Sequence, residues 1–185
     1  RLGSYASTDG QFGKWPRADK ELLAQFHEGL IVFTGCPSGA VQTRLRLGQW
    51  DEAVAEAAEL RDIFGAENFY VEVMDHGIDI ERRTHQQVLE IAKLMNAPLV
   101  ATNDAHYVKR DDRKIQDALL CINSGSRIND PDRFKFDGDG YYIRSSDEMR
   151  SLWSELPSAC DSTLEIAERC DVHFTTTKEG ANYMP

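Results

Sequence analysis

Short apolar runs alternate with longer amphipathic stretches over the first two thirds of the chain. Continuous apolar runs, typical of buried strands, fall at 30–33, 69–74 and 98–102. Apolar residues at helical spacing predict helices over 19–27, 40–47, 50–64, 80–96 and 111–122. This order predicts parallel α/β units joined by right-handed crossovers.

Two expectations concern the ends of this region. Residues 1–17 are rich in Gly and Ser and end in Trp-Pro-Arg, which predicts an irregular entry into the fold. The last helix, over 111–122, has periodic apolar positions that we expect to face the core. They are Ile115, Ala118, Leu119 and Ile122.

The pattern changes after residue 125, which divides the chain into two predicted regions, 1–125 and 126–185. Aromatic residues alternate over 134–144, FKFDGDGYYIR, and this predicts a β-hairpin or a paired extended segment. Two further helices are expected after it, over 146–153 and 157–169.

Polar side chains follow the third apolar run directly. Asp104 and His106 are two residues apart, so on an extended backbone both side chains point to the same face. The carboxyl ends of parallel strands are where sites assemble in α/β folds. A carboxylate beside an imidazole can bind Zn²⁺ or Mn²⁺, or it can form a hydrogen-bonded structural pair. The spacing alone leaves both interpretations open.

Three more residues with ligand chemistry lie at the ends of the first two runs. Cys36 follows the first run and is either a thiolate ligand or a small buried hydrophobe. Glu72 and His76 flank the end of the second run. Glu72 can hold the metal ligands in position without binding the metal itself, or it can make an internal hydrogen bond or a salt bridge with an Arg on a neighbouring helix. His76, in Asp-His-Gly, is more typical of a turn than of a ligand.

Charge and composition exclude several classes. The formal net charge is −10, so the chain carries no overall basic stripe for gripping phosphate backbones. No apolar run is long enough to cross a bilayer, and no signal-peptide segment is present. The four cysteines show no C-x-x-C spacing and are expected to be free thiols. We expect a cytoplasmic protein that does not bind membranes.

Five motifs in order carry a resemblance to a known family. They are TGCPSG at 34–39, FYVEVMDHG at 69–77, ATNDAHYV at 101–108, ALLCINSG at 118–125 and DPDRFKFDGDGYYIRS at 130–145. Together they resemble the bacterial replicative DNA polymerase III alpha subunits. The matching region is the second half of the polymerase-and-histidinol-phosphatase (PHP) domain, over 1–125, and the connection into the polymerase palm, over 126–185.

The resemblance implies a fold and a metal site. The fold is about half of a distorted seven-stranded α/β barrel of the PHP type, followed by the hairpin and helices. Cys36 falls where the family has a His or Cys ligand, and Asp104 and His106 match its final Asp-x-His pair. Glu72 and His76 are candidates for supporting positions. The implied cofactor is a divalent metal, zinc or manganese, and the implied activity of the intact domain is 3′–5′ exonuclease.

The same resemblance limits the expected activity of this chain. The family's earlier ligands begin with a His-x-His motif, which this sequence lacks, and are expected to precede Arg1. We therefore expect weak or absent metal binding by this chain alone. Expected partners are DNA, other replisome subunits and, through open sheet edges, a second copy of the chain. Two alternatives stay open: a non-catalytic scaffold that docks replisome subunits, and a stand-alone phosphoesterase such as histidinol phosphatase.

Overall fold

The computed structural model describes residues 1–173, which contain three strands and eight α-helices. The strands are β1 (Val32–Phe33), β2 (Phe69–Val73) and β3 (Leu99–Ala101). The helices are α1 (Leu2–Thr8), α2 (Lys20–Gln25), α3 (Ala40–Arg46), α4 (Trp50–Phe64), α5 (Asp79–Met95), α6 (Arg113–Ser124), α7 (Ser146–Leu152) and α8 (Pro157–Arg169). In the part described, no helix is long and apolar enough to cross a membrane.

The strands form one parallel sheet in the order β1-β2-β3. Val32 is in register with Phe69, and Val71 with Leu99. All five residues of β2 are buried, as expected for a central strand covered on both faces. The predicted parallel α/β arrangement is confirmed, and it is consistent with part of a PHP-type fold.

The core forms where the crossover helices cover this sheet. Helices α4 and α5 pack on β2, and α8 packs on β3. Apolar side chains from these elements share one cluster, whose most deeply buried members are Ala53, Ala57, Phe69, Val71, Ile91 and Ala159. The cluster holds β2 rigidly, so the residues that follow its carboxyl end have fixed positions.

The expectation of an irregular entry holds for residues 9–17 but was wrong for Leu2–Thr8, which is helical. The Tyr5 ring stacks on Phe26, with ring centroids 5.0 Å apart, and Ala6 is buried. This packing against the end of α2 stabilises a short helix that its Gly and Ser content disfavours.

The predicted β-hairpin over 134–144 was also wrong. The segment after Gly140 pairs with the residues that follow β3, since Tyr142 forms a parallel bridge with Tyr107. The Tyr141 carbonyl accepts hydrogen bonds from the backbone N–H groups of His106 (2.8 Å) and Tyr107 (3.2 Å). The alternative of a paired extended segment is the one observed, and it brings Tyr141 beside the Asp104–His106 stretch.

The predicted inward face of the helix at 111–122 was wrong as well. In α6 the apolar stripe lies in solvent, and Ile122 is 77% exposed. Arg133, which is nearly buried, binds Asp117 through two hydrogen bonds and so attaches the polar side of the helix to the following loop. That pairing leaves the apolar side facing outward.

Candidate metal centre

Glu72 links the carboxyl ends of all three strands. Its backbone N–H donates to the Thr34 hydroxyl (3.0 Å), and the Thr102 hydroxyl donates to its Oε1 (2.6 Å). Its carboxylate also accepts a hydrogen bond from the backbone of Gly35. The turn after β1 and the turn after β3 are therefore both tied to one buried carboxylate.

The environment of Glu72 opposes its charge. Burial raises the pKa of the Glu72 carboxyl, and the nearby Asp104 charge raises it further, while the hydrogen bonds from Thr102 and Gly35 act in the opposite direction. Among the described residues no Arg pairs with this carboxylate. The observed contacts are those of an internally hydrogen-bonded carboxylate, and support of a metal site by Glu72 stays a prediction.

Asp104 and His106 lie side by side after β3. Asp104 Oδ1 is 3.4 Å from His106 Nε2, and both side chains are accessible to solvent. Asp104 has φ +39°, in the left-handed region that non-glycine residues seldom adopt. Such backbone strain concentrates at functional positions, where the surrounding structure maintains it. The structure thus presents an oxygen and a nitrogen donor together at an open edge.

Cys36 lies in the turn that follows β1, half-buried. Gly35 begins this turn with φ +86°, which favours glycine. Buried Gln42 on α3 donates to the Gly35 carbonyl (3.2 Å) and accepts from the Thr84 hydroxyl (3.3 Å). These two polar residues position the turn. Neither was predicted, because the contact between Gln42 and Thr84 joins two helices that are forty-two positions apart in sequence.

The three predicted ligands are only partly brought together. Asp104 and His106 adjoin each other, and Glu72 connects their region to the Cys36 turn. Across residues 1–173, no group of three or more His, Cys, Asp or Glu side chains is arranged to hold a metal ion. The donor set of carboxylate, imidazole and thiolate suits zinc in type, and the pair alone provides two donors.

His76 lies in a bend after β2, in keeping with the turn interpretation, and its side chain is buried. Its Nδ1 is 2.6 Å from Glu81 Oε1, and its Nε2 is 3.0 Å from the Asn103 carbonyl. Both ring nitrogens lie within hydrogen-bonding distance of an acceptor, an arrangement that favours the doubly protonated ring. Burial lowers the pKa of His76, but the hydrogen bonds to Glu81 and Asn103 outweigh it, so the pKa is raised overall.

Tyr141 joins the two histidines of the site. Its ring stacks on His76 at 4.0 Å and meets His106 edge-on at 6.0 Å. Burial, with the negative charges of Glu81 and Asp104, raises the pKa of Tyr141 to about 12, so the hydroxyl is neutral at physiological pH. Glu81 and Tyr141 were not predicted. The only signal for Glu81 was its acidic position in the first turn of α5.

Comparisons with known proteins were made for the whole chain. A family model described as PHP domain matches residues 1–76. A DNA polymerase III subunit alpha from Mycobacterium tuberculosis is 56% identical over 170 residues, covering 91% of this chain and 14% of that protein. The protein of the same name from Mycobacterium leprae is 52% identical over 186 residues, covering 100% of this chain and 16% of that protein.

A more distant relative shows the same match. The DNA polymerase III subunit alpha of Thermus aquaticus is 35% identical over 177 residues, covering 93% of this chain and 14% of that protein. The chain therefore spans 14% to 16% of the length of these three relatives. The similarity runs through both predicted regions, including the segment that contains Asp104, His106 and Tyr141.

Proposed function

Because this chain belongs to the DNA polymerase III alpha subunit family, we propose that it is part of a DNA-directed DNA polymerase and contributes to a PHP site acting on DNA 3′ ends. The observation that carries this proposal is the Asp104–His106 pair at the carboxyl edge of the parallel sheet. The strained backbone of Asp104 supports it, because the fold maintains a conformation that packing alone does not require.

In the proposed site, Asp104, His106 and Cys36 are ligands for a divalent metal, zinc or manganese, together with residues outside this chain. When bound, the metal would lower the pKa of a water molecule and neutralise charge on the scissile phosphate.

Glu72 holds the Cys36 turn and the Asp104 turn at a fixed separation. His76, with Glu81 and Tyr141, fixes the backbone on which His106 is mounted. Residues 1–173 alone supply too few converging donors, so we propose weak metal binding by this chain.

The test uses the intact polymerase subunit that contains this sequence. We expect Asp104→Asn to lower bound metal and to reduce 3′–5′ exonuclease about 100-fold or more, since a metal ligand is lost. DNA synthesis should be retained. Asp79→Asn, which alters an exposed aspartate on α5, is the matched control and should change neither quantity. Unchanged metal content and exonuclease in Asp104→Asn would refute the ligand assignment.

A second function is favoured by one observation, the absence of a converging set of three ligands in the described residues. In that case the region is a scaffold that stabilises the polymerase and docks other replisome subunits. Asp104→Asn would then lower subunit stability or assembly without affecting hydrolysis. A stand-alone phosphoesterase such as histidinol phosphatase has the least support, because the compared relatives are all named as polymerase subunits.

The remaining expectations are part of this proposal. The proposed cellular location is the cytoplasm, and the proposed partners are DNA and other replisome subunits. Self-association of the chain would use the edges of the sheet, where β1 and β3 have two and three residues. Such short edge strands favour weak pairing. Sedimentation of the chain at increasing concentration tests this, and a constant monomer mass would contradict it.

A further inference from the structure

A polar cavity of about 200 Å³ opens between the start of α6 and the loop before Tyr141. It is separate from the Asp104–His106 pair but adjoins it. Its wall is formed by Tyr107, Arg113, Gln116, Asp117, Leu120, Arg133, Lys135 and Phe136. Pockets that enclose drug-sized ligands measure about 300–1,000 Å³, so this cavity suits a single small group.

Hydrogen-bond donors without partners line this cavity. The Tyr107 hydroxyl is fully buried and has no hydrogen-bond partner in the described structure. A buried hydroxyl without a partner is unfavourable, so this position favours a ligand that accepts a hydrogen bond from it. Within residues 1–173, the side chains of Arg113, Gln116 and Lys135 also form no hydrogen bond or ion pair. The buried Tyr107 hydroxyl is therefore unsatisfied, while Arg113 and Lys135 are exposed and interact with the Asp117 carboxylate through their charge and not through a hydrogen bond.

The charge of the cavity favours an anion. Three cationic side chains and one carboxylate line it, a net charge of +2 in a chain whose formal net charge is −10. The carboxylate, Asp117, is already bound by Arg133 through hydrogen bonds of 2.5 and 2.6 Å. Arg113 and Lys135 are left to attract a ligand. A phosphate group matches this charge and offers acceptor oxygens for the Tyr107 hydroxyl and for the cationic side chains.

The position of the cavity suggests where the phosphate comes from. Phe136 forms part of its wall and also contacts the His106 ring, with centroids 4.6 Å apart. Tyr107 directly follows His106. We propose that this cavity binds a backbone phosphate of the DNA strand whose end reaches Asp104 and His106. The choice of DNA as the source rests on the proposed function, whereas the phosphate chemistry does not.

The first experiment measures binding of inorganic phosphate to the full 185-residue chain by calorimetry. Tyr107→Phe, which removes only the hydroxyl, and Lys135→Met should each weaken phosphate binding about tenfold, the loss of one strong hydrogen bond. Lys114→Met is the matched control, because Lys114 lies beside Arg113 on α6 but outside the cavity wall. It should stay within about twofold of the unchanged chain. Equal binding by Tyr107→Phe, Lys135→Met and Lys114→Met would overturn the site.

The second experiment separates a DNA phosphate from free phosphate. Binding of a fluorescent single-stranded oligothymidylate is measured over a range of salt concentrations. If Lys135 contacts a strand phosphate, Lys135→Met should reduce the slope of log K against log salt by about 0.7. If phosphate binding weakens while this slope is unchanged, the cavity holds free phosphate, and the DNA assignment is wrong.

The outcomes for the two proposals are distinguishable. In the intact subunit, Lys135→Met can reduce the slope of log K against log salt as expected while Asp104→Asn leaves exonuclease activity unchanged. That result supports the phosphate site and refutes the metal proposal. If Asp104→Asn loses exonuclease activity while Tyr107→Phe and Lys135→Met bind phosphate and DNA unchanged, the metal proposal is supported and the phosphate site is refuted. Because Tyr107→Phe preserves the ring and its packing, a failure to fold does not explain a loss of binding.

Discussion

Helices α5 and α6 follow the same sequence pattern, but the apolar side of α5 is buried and that of α6 is exposed. Each has a well-defined apolar stripe, and each is tied to a neighbouring segment by a charged pair, His76–Glu81 for α5 and Asp117–Arg133 for α6. The stripe of α5 is buried, and Ile91 is 0% exposed. The stripe of α6 lies in solvent over its whole length.

The difference follows from topology. Helix α5 connects β2 to β3, two neighbouring parallel strands, so the crossover must lay it against the sheet. Helix α6 follows β3, and no further strand in residues 1–173 brings the chain back to the sheet. Periodicity therefore predicts which side of a helix is apolar. Whether that side meets a core depends on what the chain does afterwards.

The largest effect should come from the charged pair at the start of α5. Glu81→Ala leaves the buried His76 without its carboxylate, and the expected loss in the free energy of unfolding is about 3–5 kcal/mol. Urea denaturation measures it. Glu90→Ala, an exposed position on the same helix, is the control and should fall within about 0.5 kcal/mol of the unchanged chain. Asp117→Ala on α6 should cost less than Glu81→Ala, and an equal cost would contradict the contrast between the helices.

The apolar stripes give the next largest difference. Ile91→Ala on α5 opens a cavity in the core and should lower the free energy of unfolding by about 3 kcal/mol. Leu119→Ala, at an exposed position of α6, should change it by less than about 0.5 kcal/mol. Both are measured by urea denaturation at the same pH. A large loss for Leu119→Ala would show that the α6 stripe is covered in solution.

The pH dependence of stability tests the charge on His76. Its pKa is raised in the folded chain, so its contribution is fully present below the unfolded value of about 6.5 and is lost as pH rises through the folded value. We expect the free energy of unfolding to fall over that window, and His76→Gln should remove this part of the fall. Glu72 adds a separate fall at lower pH, starting near the unfolded pKa of its carboxyl, because its folded pKa is also raised. A His76→Gln curve parallel to that of the unchanged chain would contradict the assignment.

Local patterns predicted most of the fold. The limits of α4 and α8 match the predicted 50–64 and 157–169, and α2 begins near the start of the predicted 19–27 helix, where Asp19 caps it by accepting a hydrogen bond from the Leu22 backbone. These features depend on neighbours in sequence. The adjacency of Asp104 and His106 was also predicted, but for a different reason from the one observed: β3 ends at Ala101 and Asp104 is left-handed, so strand alternation does not place the pair.

The rest depended on contacts between distant segments. Tyr141 reaches His76 across more than sixty positions of sequence, and Gln42 reaches Thr84 across forty-two. No local signal marks which polar residue will meet which. The hairpin expectation failed for the same reason, because residues after Gly140 form backbone hydrogen bonds with the Tyr107 segment and not with the residues just before Gly140.

The smallest effect concerns two residues that, within 1–173, are the non-glycine positions with positive φ: Asn96 at the end of α5 and Asp104 on the path to α6. An Ala side chain is strained in this conformation by about 1 kcal/mol relative to Gly. We expect Asp104→Gly to be more stable than Asp104→Ala by roughly that amount, and Asn96→Gly to exceed Asn96→Ala similarly. Thermal or urea unfolding of the four variants measures both differences. If the difference appears at Asn96 and vanishes at Asp104, the turn before α6 does not hold Asp104 in the left-handed region, and the preorganised pair with His106 loses its main support.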